Sequence, residues 1–359
     1  MNMLVDGQWT RDAYESTNED GEFERSETSF RSYVEGVPPE VRGWGDPDAP
    51  ASFPVESDRY HLYISRACPW AHRTALVRRL AGLDDIISLS VVEPERYDEG
   101  WQFSDEYPDP INSFDSLYET YAHADPDYTG RVTVPVLYDR ATETVVNNES
   151  AEIMRMLDVG FHSLGNGVDL YPEGVRKEVD DLIDEMYEPV NNGVYRAGFA
   201  DSQAAYDEAV DDLFATLDRF EELLGERRYL AGETLTEADL ALFPTLVRFD
   251  HVYHVHFKCN RRAIHEYPNL WNYTKELFQL PGVAETVNTN HVTRHYYRSH
   301  GSVNPKRLVP TGPEIDFSAP HDRDRLAGGP TVTCPCRLST VSVPPSRPRR
   351  GSSTGRSLR

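Results

Sequence analysis

Cys68 is the residue best placed to do chemistry. A predicted strand, His61-Leu62-Tyr63-Ile64-Ser65, gives way just before it to a predicted helix opening Pro69-Trp70-Ala71-His72-Arg73-Thr74. A thiol at a helix start meets unpaired backbone N–H groups and the positive end of the helix dipole, and both favour thiolate over thiol. Pro69 suits the first helical position, where no N–H is needed. The chemistry expected is nucleophilic, with Trp70 and Arg73 lining a pocket. The plain alternative is a small buried thiol that only packs.

Two further groups bear on the same chemistry. Val134-Pro135 opens a later strand; proline there marks an edge or a turn, or else a cis peptide that leaves the Val134 backbone free to pair with a bound peptide-like thiol. A strand-start proline paired with a strand-Cys-Pro-helix unit is what a thioredoxin-like thiol site needs. Glu149-Ser150 opens the next predicted helix, so Ser150 could hold a carboxylate while Glu149 pairs with an ammonium; an N-cap explains Ser150 equally well. The amino-acid end of a γ-glutamyl thiol would satisfy both.

Other clusters carry less. His251, His254 and His256 with Cys259 look at first like metal ligands, but the helical spacing turns His256 away from the other two, so structural histidines are expected and no metal. Cys334-Pro335-Cys336 has no histidine nearby. Among 20 tyrosines, Tyr195, Tyr253, Tyr296 and Tyr297 stand in unusually polar surroundings; spacing alone does not choose among them.

The elements that must position these residues fall into two kinds. From Tyr60 to Leu157 the pattern is strand, helix, strand (Ile86–Val92), a long insertion, strand (Thr133–Tyr138), strand (Thr144–Val146) and helix (Ser150–Leu157), a small α/β unit. From Tyr171 to Leu280 the period becomes helical, over Val175–Tyr187, Ser202–Leu224, Thr236–Val255 and Leu270–Phe278. Thr236-Glu237-Ala238-Asp239 reads as a capping box. The expected domains are an irregular extension over 1–55, an α/β domain over 56–160 with an inserted loop 93–130, an all-helical domain over 170–326, and a basic, disordered tail over 327–359. The insertion carries Trp101, Phe103, Tyr107, Phe114, Tyr118 and Tyr121, as an aromatic wall over a site or a satellite core.

Composition limits the partners. The net charge is −24, from 60 acidic against 36 basic residues, of which only Lys177, Lys258, Lys275 and Lys306 are lysines. Such a surface repels nucleic acid and anionic membranes, and self-repulsion of this size suits a high-salt solvent. Four scattered cysteines do not make a disulfide scaffold, and the polar, acidic N-terminus is not a signal peptide. A cytoplasmic protein is expected.

In order along residues 55–325, Cys68-Pro69-Trp70-Ala71-His72-Arg73, Thr133-Val134-Pro135-Val136-Leu137, Val146-Asn147-Asn148-Glu149-Ser150, Asn192-Gly193-Val194-Tyr195, Arg248-Phe249-Asp250, His256-Phe257-Lys258-Cys259-Asn260 and His295-Tyr296-Tyr297-Arg298-Ser299-His300 with Asn304-Pro305 resemble the glutathionyl-hydroquinone reductases, the Xi-class or omega-like glutathione transferases. The resemblance implies a thioredoxin-like N-terminal domain, an all-helical C-terminal domain and a homodimer. It implies reduction of S-glutathionyl-hydroquinones by glutathione: Cys68 attacks the conjugate's sulfur, Tyr195 handles a proton, and a second thiol resolves the mixed disulfide. Tyr253 and Tyr296, or Tyr297 in place of Tyr296, would donate hydrogen bonds to the thiolate, and Trp101, Arg131, Val134, Glu149 and Ser150 would bind the thiol. Position 71 is Ala, so no resolving thiol exists in Cys-Pro-Trp-Ala, which agrees with a one-cysteine cycle. Because Glu149 and Ser150 would read the γ-glutamyl end, γ-glutamylcysteine could serve as the thiol. The alternatives are a thioltransferase acting on mixed disulfides, which needs Cys68 but not Tyr195, and a non-catalytic binding module.

Overall fold

The first forty residues fold by turns more than by long elements. The computed structural model describes residues 2–25, 27–42, 49 and 51–330. Strands β1 (Met3–Val5) and β2 (Gln8–Thr10) form a hairpin closed by Asp6 and Gly7, both at positive φ, as a tight two-residue turn requires. Leu4 then pairs with Gly130 in the insertion. The two-residue strand β3 (Tyr33–Val34) lies parallel to β4 (Ala51–Phe53). Just before it, Arg31 bridges to Asn147 and the Ser32 N–H donates to the Val146 carbonyl at 3.1 Å. The extension, read from sequence as irregular, is thus attached to the body by these strand pairings.

The body's sheet is built from β5 (Tyr60–Ile64), β6 (Ser88–Val91), β7 (Val136–Asp139) and β8 (Thr144–Asn147), in the order β6-β5-β7-β8. β5 runs parallel to β6 and antiparallel to β7, and β7 is antiparallel to β8. Every residue of β5 is buried, as a strand paired on both sides and covered on both faces must be. Helix α1 (Pro69–Leu80) makes the crossover to β6, and α3 (Ser150–Arg155) follows β8. The insertion is not only loop. It contains α2 (Leu117–Ala124), opened by a Ser116–Glu119 capping box, and its Trp101, Phe103 and Tyr121 join the main core.

The rest is helical: α4 (Arg176–Met186), α5 (Gly193–Gly198), α6 (Gln203–Glu226), α7 (Glu237–Arg248), the single turn α8 (His254–His256), α9 (Pro268–Gln279) and α10 (Thr289–Ser299). The Thr236–Asp239 capping box is present at α7, and its Asp239 also accepts from Tyr273 Oη at 2.7 Å. α5 and α10 are absent from the sequence reading. Near the C-terminal end of the described chain, the fully buried Arg323 donates to the carbonyls of Leu224, Arg227 and Arg228 at 2.5–2.6 Å. A cation there satisfies acceptors that the end of α6 leaves open. The basic tail beyond residue 330, with Cys334 and Cys336, lies outside the described residues. Among the described residues no helix is long and apolar enough to cross a membrane.

Candidate active site

Register places the thiol. Tyr63 of β5 is paired with Val136 of β7, so the end of β5 comes level with Val134 and Pro135. The Val134–Pro135 peptide is cis, the sharper of the two readings of that proline. After β5 the chain turns on Ser65, whose Oγ accepts from Ala67 N–H and whose carbonyl accepts from Cys68 N–H. Cys68 then caps α1 in an extended conformation with Pro69 in the first helical position. Its thiol donates to the Val134 carbonyl at 3.6 Å.

The helix start that favours thiolate is opposed here by burial. Burial pushes the Cys68 thiol above its ordinary pKa, although the N–H groups of Ala71 and Trp70 and the charges of Arg248 and Arg25 pull it down. A helix terminus contributes on the order of 1 kcal/mol, less than the loss of water around an anion.

Two arginines hold this corner rigid. Arg248, at the end of α7, donates Nε to the Ala67 carbonyl and Nη2 to the Arg66 carbonyl, each at 2.9 Å, fixing the residues that lead into Cys68. Its Nη1 lies 2.9 Å from His72 Nδ1. A guanidinium can only donate, so His72 Nδ1 accepts and Nε2–H donates to Thr286 Oγ1 at 2.7 Å. Burial and the charges of Arg248 and Arg66 keep His72 neutral, well below its usual range. Arg73 lies under the Trp70 ring at 4.6 Å and donates to Asn191 Oδ1 at 2.5 Å.

Beside this corner opens a cleft of about 350 Å³, lined by Arg131, Val134, Pro135, Glu149 and Ser150. Burial lowers Arg131 to about 10. Glu149, not Ser150, caps α3: its side chain accepts from Ala151 N–H at 3.3 Å. Ser150 Oγ and Thr28 Oγ1 both donate to the Glu149 carboxylate at 3.4 Å. Trp101 is not among the lining residues; it stacks on His295 at 4.9 Å, and Arg96 lies over its ring at 5.5 Å. Arg25, Thr28 and Arg31 from the extension also line the cleft. Nothing in their spacing announces this, because no regular element carries them.

The tyrosines gather apart from the residues that line this cleft. Tyr195 Oη lies 2.6 Å from Tyr296 Oη, which lies 2.9 Å from Tyr253 Oη. Two of these residues follow wide turns: Asn192 N–H bonds to the Tyr187 carbonyl, five residues back, before α5 presents Tyr195, and a similar turn over Phe249–Tyr253 ends on Tyr253. Such turns are frequent at functional sites. Tyr297 is directed elsewhere, donating to the His251 carbonyl at 3.2 Å. Burial raises all three clustered hydroxyls; at Tyr195 the charge of Cys68 adds to this, while Tyr296 and Arg25 oppose it. His256, bonded to His300 at 3.2 Å, and His295 lie behind the cluster and are held neutral by burial, near 4 and 3. Among the described residues no group of three His, Cys, Asp or Glu side chains could hold a metal ion. The arrangement places the Tyr195 ring and the ring of Trp70, two residues after Cys68, within 5.2 Å of the same Arg25 guanidinium, so the thiol and the hydroxyl chain belong to one neighbourhood.

Known proteins share this architecture. Residues 67–159 match the glutathione S-transferase N-terminal domain and residues 203–276 the glutathione S-transferase C-terminal domain. The chain is 47% identical over 331 residues to glutathionyl-hydroquinone reductase YqjG of Escherichia coli, covering 90% of this chain and 99% of that protein. It is 46% identical to glutathionyl-hydroquinone reductase PcpF of Sphingobium chlorophenolicum, covering 87% and 96%. Among solved structures, a Xi-class transferase from Natrialba magadii superposes with a TM-score of 0.83 at 53% identity, covering 92% of this chain and 98% of that one. The glutathione-bound structure of YqjG superposes with a TM-score of 0.80 at 45% identity, covering 90% and 99%.

Proposed function

The chain belongs to the glutathionyl-hydroquinone reductases, the Xi class of glutathione transferases, and on that premise we propose that it reduces S-glutathionyl-hydroquinones to free hydroquinones through a mixed disulfide on Cys68. The observation that carries this reading is the pairing of a cysteine nucleophile, 3.6 Å from the Val134 carbonyl, with a buried tyrosine hydroxyl chain that begins at Tyr195.

Each residue has a task in this reading. The Val134 backbone aligns the cysteinyl part of the conjugate, Arg131 holds its glycine carboxylate, and Ser150 and Glu149 take the carboxylate and ammonium of its γ-glutamyl end. Trp101 closes the thiol site from behind Arg96. Cys68 thiolate attacks the conjugate sulfur, the sulfur–aryl bond breaks, and its electron pair takes a proton from Tyr195 at the ring carbon. Tyr296 and Tyr253 share the resulting phenolate charge through their hydroxyls. Tyr195 recovers its proton from a second glutathione, whose thiolate attacks the glutathionyl sulfur and frees Cys68. The sum is conjugate plus glutathione giving hydroquinone plus glutathione disulfide.

γ-Glutamylcysteine presents the same γ-glutamyl end to Glu149 and Ser150 and is expected to support turnover. The protein works as a cytoplasmic homodimer, a state that light scattering in high salt reads directly.

The test is intact mass after incubation with a glutathionyl-hydroquinone in high salt, in parallel with Cys68→Ser. The expected result is one glutathionyl adduct with released hydroquinone in the wild type and neither in the variant. An adduct formed only with a disulfide donor would make the protein a thioltransferase. No adduct with either donor would leave a binding module.

A further inference from the structure

The turn that carries Arg25 is built to deliver it. Asn18 Oδ1 accepts from the N–H groups of Asp20 and Glu22, each at 3.0 Å, and the Asn18 N–H closes the hairpin on the Glu22 carbonyl at 2.9 Å, a side-chain-organised turn. Gly21 sits at φ +80°, and a Cβ there would meet the Ser202 nitrogen at 2.9 Å, so glycine alone permits the contact. The turn docks on the start of α6: Thr17 Oγ1 donates to the Asp201 carboxylate, Ser202 Oγ to the Asp20 carbonyl, and Asp201 N–H to the Gly21 carbonyl, all at 2.9 Å. From this dock Phe23 packs on Phe199 at 5.5 Å.

Arg25 then reaches across the site. Its guanidinium lies 4.9 Å from the Trp70 ring, 5.2 Å from the Tyr195 ring and 5.5 Å from the Phe23 ring. Its Nε donates to Asn192 Oδ1 at 3.2 Å. Among the described residues it forms no ion pair, so its charge is not neutralised by a bonded carboxylate. Trp70 is two residues from the nucleophile, and Tyr195 is the proposed acid. The charge of Arg25 favours the anion at Tyr195, whose ring it overlies, and also at Cys68, there behind Arg248 and the N–H groups of Ala71 and Trp70. The other charged groups facing Cys68 are Arg73 from α1, Arg96 from the insertion and Arg248 from α7.

We propose that Arg25 is a positioning residue for the reductase reaction, a fixed positive charge that serves in turn the Cys68 thiolate and the Tyr195 phenolate. The proposal rests on the reductase reading. The first step removes a negative charge from Cys68 and leaves one on Tyr195, with the proton passing to the ring carbon. A counter-charge already aimed at both groups need not reorganise as the charge moves. Stacking against Trp70 and Tyr195 holds its plane, which a lysine ammonium would not reproduce.

Arg25→Gln and Arg25→Lys test this with two readouts. The first is the rate of Cys68 alkylation by iodoacetamide against pH, which needs no turnover; the second is steady-state reduction of a glutathionyl-hydroquinone. For Arg25→Gln the alkylation midpoint is expected to rise by about one pH unit, about tenfold in rate near neutrality. Its kcat should fall about tenfold, with KM for glutathione changed less than about twofold. Arg25→Lys should recover the midpoint but only part of kcat. An unchanged alkylation profile with a raised KM would overturn the proposal and make Arg25 a thiol ligand. Equal impairment of both variants with a lowered melting temperature would overturn it in favour of a purely structural role. A wild type that alkylates normally but leaves the conjugate intact would sink the reductase reading, and with it the Tyr195 half of the proposal.

Discussion

The cleft and the tyrosine cluster beside it solve opposite electrostatic problems. Around Cys68 and Glu149 the wall is ionic, with Arg25, Arg73 and Arg131 facing the same space as the Glu149 carboxylate. Around Tyr195 one ring face carries Arg25, but the bonded partners are neutral: Tyr253 and Tyr296 are buried hydroxyls, backed by histidines that burial keeps uncharged. A zwitterionic tripeptide needs fixed charges to replace its lost water, whereas a proton donor works best where its own anion is costly until the moment it forms. In the proposed reaction, binding and proton transfer thus fall to two different surroundings.

The sharpest way to break that comparison is Tyr195→Phe. Loss of the acid should lower kcat for the conjugate by about 100-fold, while turnover of a glutathione mixed disulfide, whose thiolate leaves without a proton on carbon, should hold within about twofold. Parallel rates on the two substrates check this. Equal losses on both would mean that Tyr195 serves Cys68 rather than the leaving carbon.

A change on the ionic side should act on binding. Glu149→Gln removes a charge opposed to the γ-glutamyl ammonium and weakens the cap on α3, so KM for glutathione should rise about tenfold with kcat nearly constant. The melting temperature should fall by a few degrees. Steady-state kinetics and a thermal melt separate the two effects.

The smallest effect belongs to the neutral wall. His256 and His295 titrate near 4 and 3 in the folded protein, against about 6.5 when unfolded. The unfolded chain therefore binds more protons between those values, and stability present above about pH 6.5 drains away as pH falls toward 4. The urea midpoint, followed from pH 7 to 4, should decline across that window. His256→Gln should flatten the decline.

Much of this was legible in the residues, for definite reasons. Strand-Cys-Pro-helix, the strand-start proline and the Thr236–Asp239 box are local patterns whose physics operates within a few residues, and each stands in the structure where the sequence placed it. Helix α10 was not visible, because its buried positions are His291, Val292, His295, Tyr296 and Tyr297, which hydropathy scores as mostly polar. α5 was hidden by its six-residue length and two glycines. The hydroxyl chain selects Tyr296 over Tyr297 by direction alone, which spacing does not encode. The burial that opposes the helix start at Cys68 was not visible, because a helix start is written in sequence and the depth of burial is not. Arg25 was invisible for the same reason as the turn beneath it, since both depend on partners far along the chain.

That separation has a consequence for how the protein is made. Thr17 waits for Asp201, 184 residues later, and Arg25 for Asn192, 167 residues later. During synthesis the early turn emerges from the ribosome long before its dock exists, and contacts of such long sequence separation form late in folding. The Cys68 corner waits too, because Arg248, which fixes the Arg66 and Ala67 carbonyls, lies at the end of α7 and is made after the dock for Arg25. A nascent chain would thus carry the thiol long before it holds a working site.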